Sequence, residues 1–444
     1  MTSKDEILRL IETHDVCFLD LWFTDIMGMV KNVTVPANRA RKVLEEGIHF
    51  DGSSIDGFAR VAESDMVLVP DLSTFTLLPW GDEACATARL ICAVETPQGE
   101  PFIGDPRTVL QRALKQAEGM GFTLKTGIEL EFFLFPTDAS GAFQITVPND
   151  VASYFDMSTD SAQSVRRQMI TTLHELSIAV DSTHSEIGFG QHEIDLAYAP
   201  ALKSADNMLT ARVALKTVAQ RRGLHCTFMP RPSINLPGSG MHTHQSLHDV
   251  ESDVNVFADT SDEYGLSEVG RQFLAGQLHH ARAMCAVLAP LVNSYKRLGT
   301  SFEAPVYVTW AHVNRAALIR VPSITKEKEQ HTRLELRCPD PSSNPYLATA
   351  VMLAAGLDGI KNQMQLAEPL EETLLARSPQ RRRQVEMLPD SLGEALDALE
   401  QDDVILGALG PYISDRYLEA KRQEYHDSKQ LVTQWELDRY ATRY

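Results

Sequence analysis

The chain has 444 residues, 43% hydrophobic and 23% charged, which is enough for a large packed core and long enough for two domains. Its 60 acidic residues against 41 basic ones give a net charge of -19, which argues against nucleic acid or an anionic membrane surface as the main partner. Local arginine clusters leave phosphate ligands open.

Six cysteines without a CxxC pair point to neither a zinc site nor a disulfide framework, and they fit a reducing cytoplasm. The opening Met-Thr-Ser-Lys-Asp-Glu lacks the apolar core of a secretory leader. The longest uncharged runs, Ala283 to Tyr295 and Pro341 to Leu357, are too short to cross a bilayer. A soluble, cytoplasmic protein with no membrane partner is expected.

In chain order, residues 4–13 read as a helix, and Val16 to Phe23 and Val30 to Val35 as strands joined by a turn at Asp25-Ile-Met-Gly28. A helical stretch at Ala37 to Glu46 precedes the loop His49-Phe-Asp51-Gly-Ser-Ser54-Ile-Asp-Gly57, and strands follow at Met66 to Val69 and Ala88 to Val94. This mostly β region ends near Gly104-Asp-Pro106, which divides the chain into domains 1–105 and 106–444. Beyond it, Val165, Met169, Leu173 and Leu176 have helical spacing, as do Leu347, Val351 and Ala354. Ser391-Leu-Gly-Glu394 reads as a capping box. Strands and helices mix without βαβ regularity, so the class is α+β.

Three segments carry chemistry. In Lys125-Thr-Gly-Ile-Glu129-Leu-Glu131-Phe, strand alternation puts Glu129 and Glu131 on one face, where two like charges need a cation between them. Glu186-Ile-Gly-Phe-Gly-Gln-His-Glu193-Ile-Asp195 adds carboxylates, with His192 on the opposite face and expected near the surface. Gly238-Ser-Gly240-Met-His242-Thr-His244 sets two imidazoles on one face, and Arg333-Leu-Glu335-Leu-Arg337 alternates charge with apolar residues, near Arg297, Arg315 and Arg320. Guanidiniums held at the wall of a core suit phosphate or carboxylate. Carboxylates, a histidine and arginines together indicate a divalent-metal phosphoryl-transfer site, for which Mg²⁺ and Mn²⁺ both serve.

These segments, with Phe50-Asp-Gly-Ser-Ser-Ile55, Glu63-Ser-Asp-Met66, Asn293-Ser-Tyr-Lys-Arg-Leu298, Glu303-Ala-Pro305 and Arg337 to Pro345, resemble in order the motifs of type I glutamine synthetases, α subtype. The resemblance implies an N-terminal β-grasp domain and a catalytic domain with a curved antiparallel sheet and surrounding helices. It also implies a homo-oligomer, a dodecamer of two hexameric rings with active sites between neighbouring subunits. The activity implied is ATP-dependent ligation of ammonium to L-glutamate through γ-glutamyl phosphate.

By motif, Glu131, Glu186 and Glu193 would hold one metal, and Glu129, His242 and Glu335 the other. Asp181, Tyr198, His244, Ser246 and Arg333 would contact ATP, with Arg315 and Arg320 neutralising the transferred phosphate. Arg297, Arg337, Gly238 and His242 would bind glutamate. Asp51, Ser54, Tyr154 and Glu186 resemble the ammonium pocket, with Asp51 as proton acceptor and Glu303 as the residue of the closing flap. Arg60 matches an arginine linked to glutamine feedback.

Two departures concern the acceptor: Pro237 replaces the usual Asn, and Gly299-Thr-Ser-Phe302 replaces the usual segment before Glu303. Proline there is similar to relatives that join glutamate to methylamine, ethylamine or polyamines, so a γ-glutamyl-amine ligase is the alternative. No tyrosine lies between Tyr346 and Tyr412, so adenylylation control is not expected.

Overall fold

A computed structural model describes residues 3–55, 65–81, 85–143, 145, 148–299, 304–324, 326–371 and 385–444, with the side chains of 54, 326 and 327 left out. Ser3 caps α1 (Lys4–Thr13), whose Glu6 returns the bond, and Ile7 and Ile11 face the first core. The first sheet comprises β1 (Val16–Thr24), β2 (Val30–Pro36), β3 (Ile48–Asp51), β4 (Asp65–Pro70), β5 (Thr76–Leu77) and β6 (Ala86–Glu95). Its order is β2-β1-β6-β4-β3 with β5 beside β6, and β1 and β6 run parallel. The stretch read as one helix from Ala37 splits into a 3₁₀ turn at Ala37–Arg39 and α2 (Ala40–Glu46).

Cys17 and Cys85 form a disulfide, with Cα atoms 5.5 Å apart, against the sequence expectation. Parallel pairing of β1 with β6 sets Val16 opposite Ala86 and so joins residues 68 apart in the chain, a neighbourhood that cysteine spacing does not reveal. The other four cysteines are buried thiols.

The second sheet contains β7 (Phe122–Pro136), β8 (Val180–Ser185), β9 (Gln191–Pro200), β10 (Leu224–Thr227), β11 (Met241–Asp249), β12 (Trp310–Ala311), β13 (Ile319–Arg320) and β14 (Leu334–Leu336). Its order is β12-β13-β14-β11-β7-β9-β8, with β10 on β7. The pairs are antiparallel except β12 with β13, so the expected antiparallel sheet is mixed at one edge. Around it lie α3 (Pro106–Gly119), α4 (Gln163–Glu175), α5 (Ala201–Arg221), α6 (Glu268–His279), α7 (Ala281–Leu288), α8 (Ser294–Leu298) and α9 (Pro345–Lys361). The C-terminal helices are α10 (Leu392–Leu399), α11 (Asp403–Leu409), α12 (Pro411–Gln430) and α13 (Gln434–Tyr440). The class is α+β. Among the described residues no helix is long and apolar enough to cross a membrane.

Strand alternation explains why β7 sits at the centre. Ile128, Leu130, Phe132 and Leu134 bury against Met169 and Leu173 of α4 and Met208 and Leu215 of α5, leaving Glu129 and Glu131 on the other face. Only half of the predicted box at Ser391 forms: its side chain takes the Glu394 amide, while the Glu394 carboxylate turns to the Asp390 amide.

The β1–β2 turn is pinned to the second sheet's helices. Gly28, at φ 81°, approaches so closely that a Cβ would stand 2.8 Å from the Asn344 Cα. Asn344 caps α9 and donates to the carbonyls of Asp25 and Ile26 at 3.1 and 3.3 Å. Nearby, Arg107 donates to both Asp206 oxygens at 3.0 and 2.9 Å and to Asp71 at 2.8 Å, while the Tyr346 hydroxyl donates to Asp206 at 2.6 Å. Asp206→Ala therefore leaves a buried guanidinium with Asp71 as its one carboxylate partner among the described residues, and is expected to cost about 3 kcal/mol. Denaturant unfolding checks this, and a loss under about 1 kcal/mol would contradict it.

A second buried clamp joins the α6–α7 junction to α9 and α11. His280 Nδ1 lies 2.6 Å from Asp402 and Nε2 lies 3.1 Å from Asp358. Burial opposes its charge, but hydrogen bonds to the two aspartates hold the imidazole above its ordinary value of 6.5. Such a group adds stability that is fully present below 6.5 and lost as pH rises through the raised folded value. His280→Gln is expected to cost about 1.5–3 kcal/mol at pH 6, with the gap to wild type narrowing toward pH 9. Equal gaps at both pH values would rule out a charged clamp.

Candidate active site

The carboxylates of β7 are crossed by those of its neighbours because of register. Glu131 lies opposite Glu193 and Glu129 opposite Asp195 on β9, His242 of β11 lies opposite Glu129, and Glu335 of β14 lies opposite both His244 and Arg320. Glu129 accepts from His242 at 2.9 Å and from His244 at 2.7 Å. Glu335 is fully buried between Arg320, 2.5 Å away, and Arg337. Glu131 turns the other way and accepts from the Gly240 amide at 2.9 Å and from Gln191 Nε2 at 3.1 Å. A Cβ on Gly240 would stand 2.7 Å from Arg297 Nη2 and 2.9 Å from His242 Nε2, so glycine leaves these side chains in place.

The electrostatics divide the wall. Burial works against charge on Glu129 and Glu335. For Glu129 the hydrogen bonds from His242 and His244 outweigh it, and for Glu335 the Arg337 guanidinium and the same imidazoles do, so both stay below their ordinary values. The other three go the opposite way. Burial raises Glu131; burial and the Glu131 charge push Glu186 up to about 7; burial with Glu131 and Glu129 pushes Glu193 up to about 11. This half of the wall carries more negative charge than the protein compensates, and it fits a cation. Glu129, His242 and Glu335 bring ligand atoms within 4.8 Å of one another, a mixed nitrogen and oxygen set suited to a divalent ion.

Two cavities meet at this wall, and Glu129 lines both. One, of about 580 Å³, is lined by Glu131, Glu186, Glu193, His242 and Glu335, by Arg297, Arg315, Arg320 and Arg337, and by Tyr154 and Gly238. The other, of about 560 Å³, is lined by Asp181, Tyr198, His244, Ser246 and Arg333. There the Tyr198 hydroxyl and Ser246 Oγ lie 2.8 Å apart, and Arg333 Nε donates to His244 Nδ1 at 3.3 Å. These predicted residues thus gather in two adjoining spaces.

One expectation is corrected, and several residues have surroundings that the sequence did not show. His192 is fully buried rather than near the surface, because the back face of β9 is core; its Nδ1 takes a hydrogen bond from Arg166 at 3.0 Å, and burial with the Arg166 charge pushes it down to about 3. Arg297 gives its guanidinium to the carbonyls of Arg337, Cys338 and Pro339 at 2.9–3.1 Å, so it shapes the cavity wall through backbone contacts. Asp51 is exposed at the end of β3, takes the Ser53 amide and hydroxyl, and does not line either cavity. The Ser54 side chain, Arg60 and Glu303 lie outside the described residues. Sequence reasoning missed Gln191, which bridges Glu131 and the Gly238 carbonyl, and His184, whose Nε2 is 3.2 Å from Glu193. Gln191 stood inside a quoted motif two residues before Glu193; His184 had no motif to mark it.

Comparison with known proteins places this geometry. The family model "Glutamine synthetase, catalytic domain" matches residues 103–440, and "Glutamine synthetase, beta-Grasp domain" matches residues 15–97. A glutamine synthetase of Clostridium saccharobutylicum is 45% identical over 445 residues, covering 100% of this chain and 99% of that protein. One of Halobacterium salinarum is 46% identical over 448 residues, covering 100% and 97%. A solved structure of a GmaS/ADP complex is 32% identical with a TM-score of 0.89, and covers 100% of both chains. With both domain models matched in order along nearly its whole length, the chain belongs to the glutamine synthetase family.

Proposed function

We propose that this chain, read as a type I, α-like member, ligates ammonia to L-glutamate with ATP, through γ-glutamyl phosphate, releasing ADP and phosphate. The observation that carries the proposal is the pair of cavities sharing Glu129, one lined with arginines and carboxylates, the other with His244, Ser246, Tyr198 and Arg333. In this reading the first takes glutamate and the second ATP, and the γ-carboxylate attacks the γ-phosphate where they meet. Glu131, Glu186 and Glu193 would hold one Mg²⁺ or Mn²⁺, and Glu129, His242 and Glu335 another. Bound there, such ions neutralise phosphate charge and orient its oxygens. Arg315 and Arg320 offset the repulsion between an anionic nucleophile and a polyanion. Tyr154 and Glu186 border the place for ammonium, whose proton Asp51 accepts, and Glu303 closes the site against water.

Asp51 lies outside both cavities of its own chain, which supports a reading in which it would meet the acceptor in a neighbouring copy, within an oligomer of the dodecameric kind. The same reading assigns residues 1–105 to the β-grasp domain and 106–444 to the catalytic domain, and gives Arg60 a part in glutamine feedback.

A second reading is γ-glutamylation of a small amine. It is favoured by the resemblance to the GmaS structure and by Pro237, which stands with Ile234 and Leu236 at the cleft, its ring 2.7 Å from where a Cβ on Gly188 would be. One assay with ATP, Mg²⁺ and glutamate, offered ammonium, methylamine, ethylamine or putrescine in turn, separates the two. Phosphate release dependent on ammonium supports the first reading; release with an amine and not with ammonium supports the second; no acceptor dependence would sink both.

A further inference from the structure

We propose that His248 is a positioning residue for the nucleotide: acting through Ser246 and Tyr198, it makes the second cavity a hydrogen-bond acceptor for the amino group of a 6-aminopurine and turns a 6-oxopurine away. The inference rests on reading that cavity as the ATP site. Ser246 and His248 stand two residues apart on one face of β11, and Ser246 lies opposite Lys125 of β7. Tyr198, Ser246 and the buried His248 all line the cavity. Ser246 is four residues along β11 from His242, which lies opposite Glu129, a separation of about 13 Å at the rise of a strand. The phosphate end that meets Glu129 is therefore not the end that meets Ser246, which leaves Ser246 to the nucleoside.

The direction of each hydrogen bond in this chain of groups follows from its far end. His248 Nδ1 is 3.0 Å from the Asp253 carbonyl oxygen, which can only accept, so Nδ1 carries the hydrogen. Asp253 belongs to the tight turn after β11, closed by the Asp249 amide donating to the Val254 carbonyl at 2.9 Å. Its exposed carboxylate, 3.7 Å from Nδ1, is engaged by Lys125 Nζ at 2.7 Å. In a neutral ring Nε2 is then a bare lone pair, and it stands 3.0 Å from Ser246 Oγ, whose single hydrogen goes to it. Tyr198 Oη lies 2.8 Å from the same Oγ. Since Ser246 has already given its hydrogen to His248, the phenol donates to Ser246 and keeps none for a ligand. Both oxygens thus face the cavity with lone pairs alone.

Such a site takes an N–H or O–H and rejects a carbonyl oxygen, because two acceptors facing each other out of water lose about tenfold or more in affinity. The donors of a nucleoside are the exocyclic amino group of its base and the ribose hydroxyls. The Tyr198 ring favours the base: one edge lies over Gly127, where a Cβ would stand 2.8 Å from Cδ2, yet the residue stays 39% exposed and offers an aromatic surface beside the two oxygens. The competing account is that His248 only holds the turn after β11.

Calorimetric titration of the assembled protein at pH 8, in Mg²⁺, with ADP, inosine diphosphate or 2′-deoxy-ADP tests the proposal. Wild type is expected to bind ADP about tenfold or more tighter than inosine diphosphate. His248→Phe keeps a planar ring but frees the Ser246 hydrogen for the cavity, so the two affinities should come within about twofold of each other. Ser246→Ala should flatten the preference as well, whereas His248→Gln, which returns an acceptor oxygen near the place of Nε2, should keep most of it. 2′-deoxy-ADP should follow ADP throughout. An unchanged preference in His248→Phe or Ser246→Ala refutes the relay and leaves the cavity a nucleotide site. Equal loss in His248→Phe and His248→Gln gives His248 to the turn alone, and a wild-type deficit for 2′-deoxy-ADP with ADP and inosine diphosphate alike moves the donor to the ribose. If ADP binds Tyr198→Ala as it binds wild type, or binds neither, the reading of this cavity as the ATP site fails as well.

Discussion

Glu335→Gln is expected to lower kcat/KM about 10²–10³-fold while leaving the fold intact, on the scale at which single preorganised charge-stabilising groups act. Glutamine keeps the volume and one acceptor oxygen but removes the negative charge that Glu335 presents to the cavity between Arg320 and Arg337. Alanine would be a poorer probe. It would strand two guanidiniums against a fully buried position, and a loss of about 3–5 kcal/mol in folding would blur any loss of chemistry. Steady-state kinetics beside thermal unfolding separates the effects; unchanged turnover would mean that Glu335 is no ligand.

A large effect on folding is expected from Gly276→Ala. A Cβ at Gly276 would lie 2.2 Å from the Ala355 carbonyl oxygen, and one at Gly359 would lie 2.1 Å from the Gln272 carbonyl oxygen. Helices α6 and α9 therefore cross with their backbones in contact, and no flexible side-chain end is available to swing aside. Overpacking of this kind costs about 3 kcal/mol or more when the backbone has to move. The melting temperature should fall by roughly 3–4 °C, at about 1 °C per kcal/mol for a chain of 444 residues. Gly407→Ala on α11 is the control: nothing lies within 4 Å of its Cβ position, so it should stabilise by about 0.4–1 kcal/mol. A Gly276→Ala melting point within about 1 °C of wild type, on the order of the effect of 1 kcal/mol or less, would show that the helices can part.

What could be read from sequence divides along a physical line. Alternation on β7, β9 and β11 depends on local geometry alone, so the facing of Glu129 and Glu131, of Glu193, and of His242 with His244 was legible, as was the helix from residue 4 to 13. Everything set by pairing between distant strands was not. The Cys17–Cys85 bond depends on β1 lying parallel to β6, and the burial of His192 depends on what packs behind β9. The carbonyl contacts of Arg297 were hidden for a similar reason, since they come from a segment forty residues away. His184 and Asp195 fall in the same class: their nearness to Glu193 and Glu129 is a matter of register across three strands.

Glu129 has a consequence of another kind. A carboxylate that forms part of the wall of two cavities makes their occupancies interdependent, because any ligand that fixes its charge or its imidazole partners alters the field felt on the other side. Thermodynamic reciprocity then requires that whatever factor the occupant of the Arg333 cavity adds to affinity in the Arg337 cavity be returned in full. A calorimetric square, with each ligand titrated in the absence and presence of the other, would read that coupling, and Glu129→Gln should flatten it.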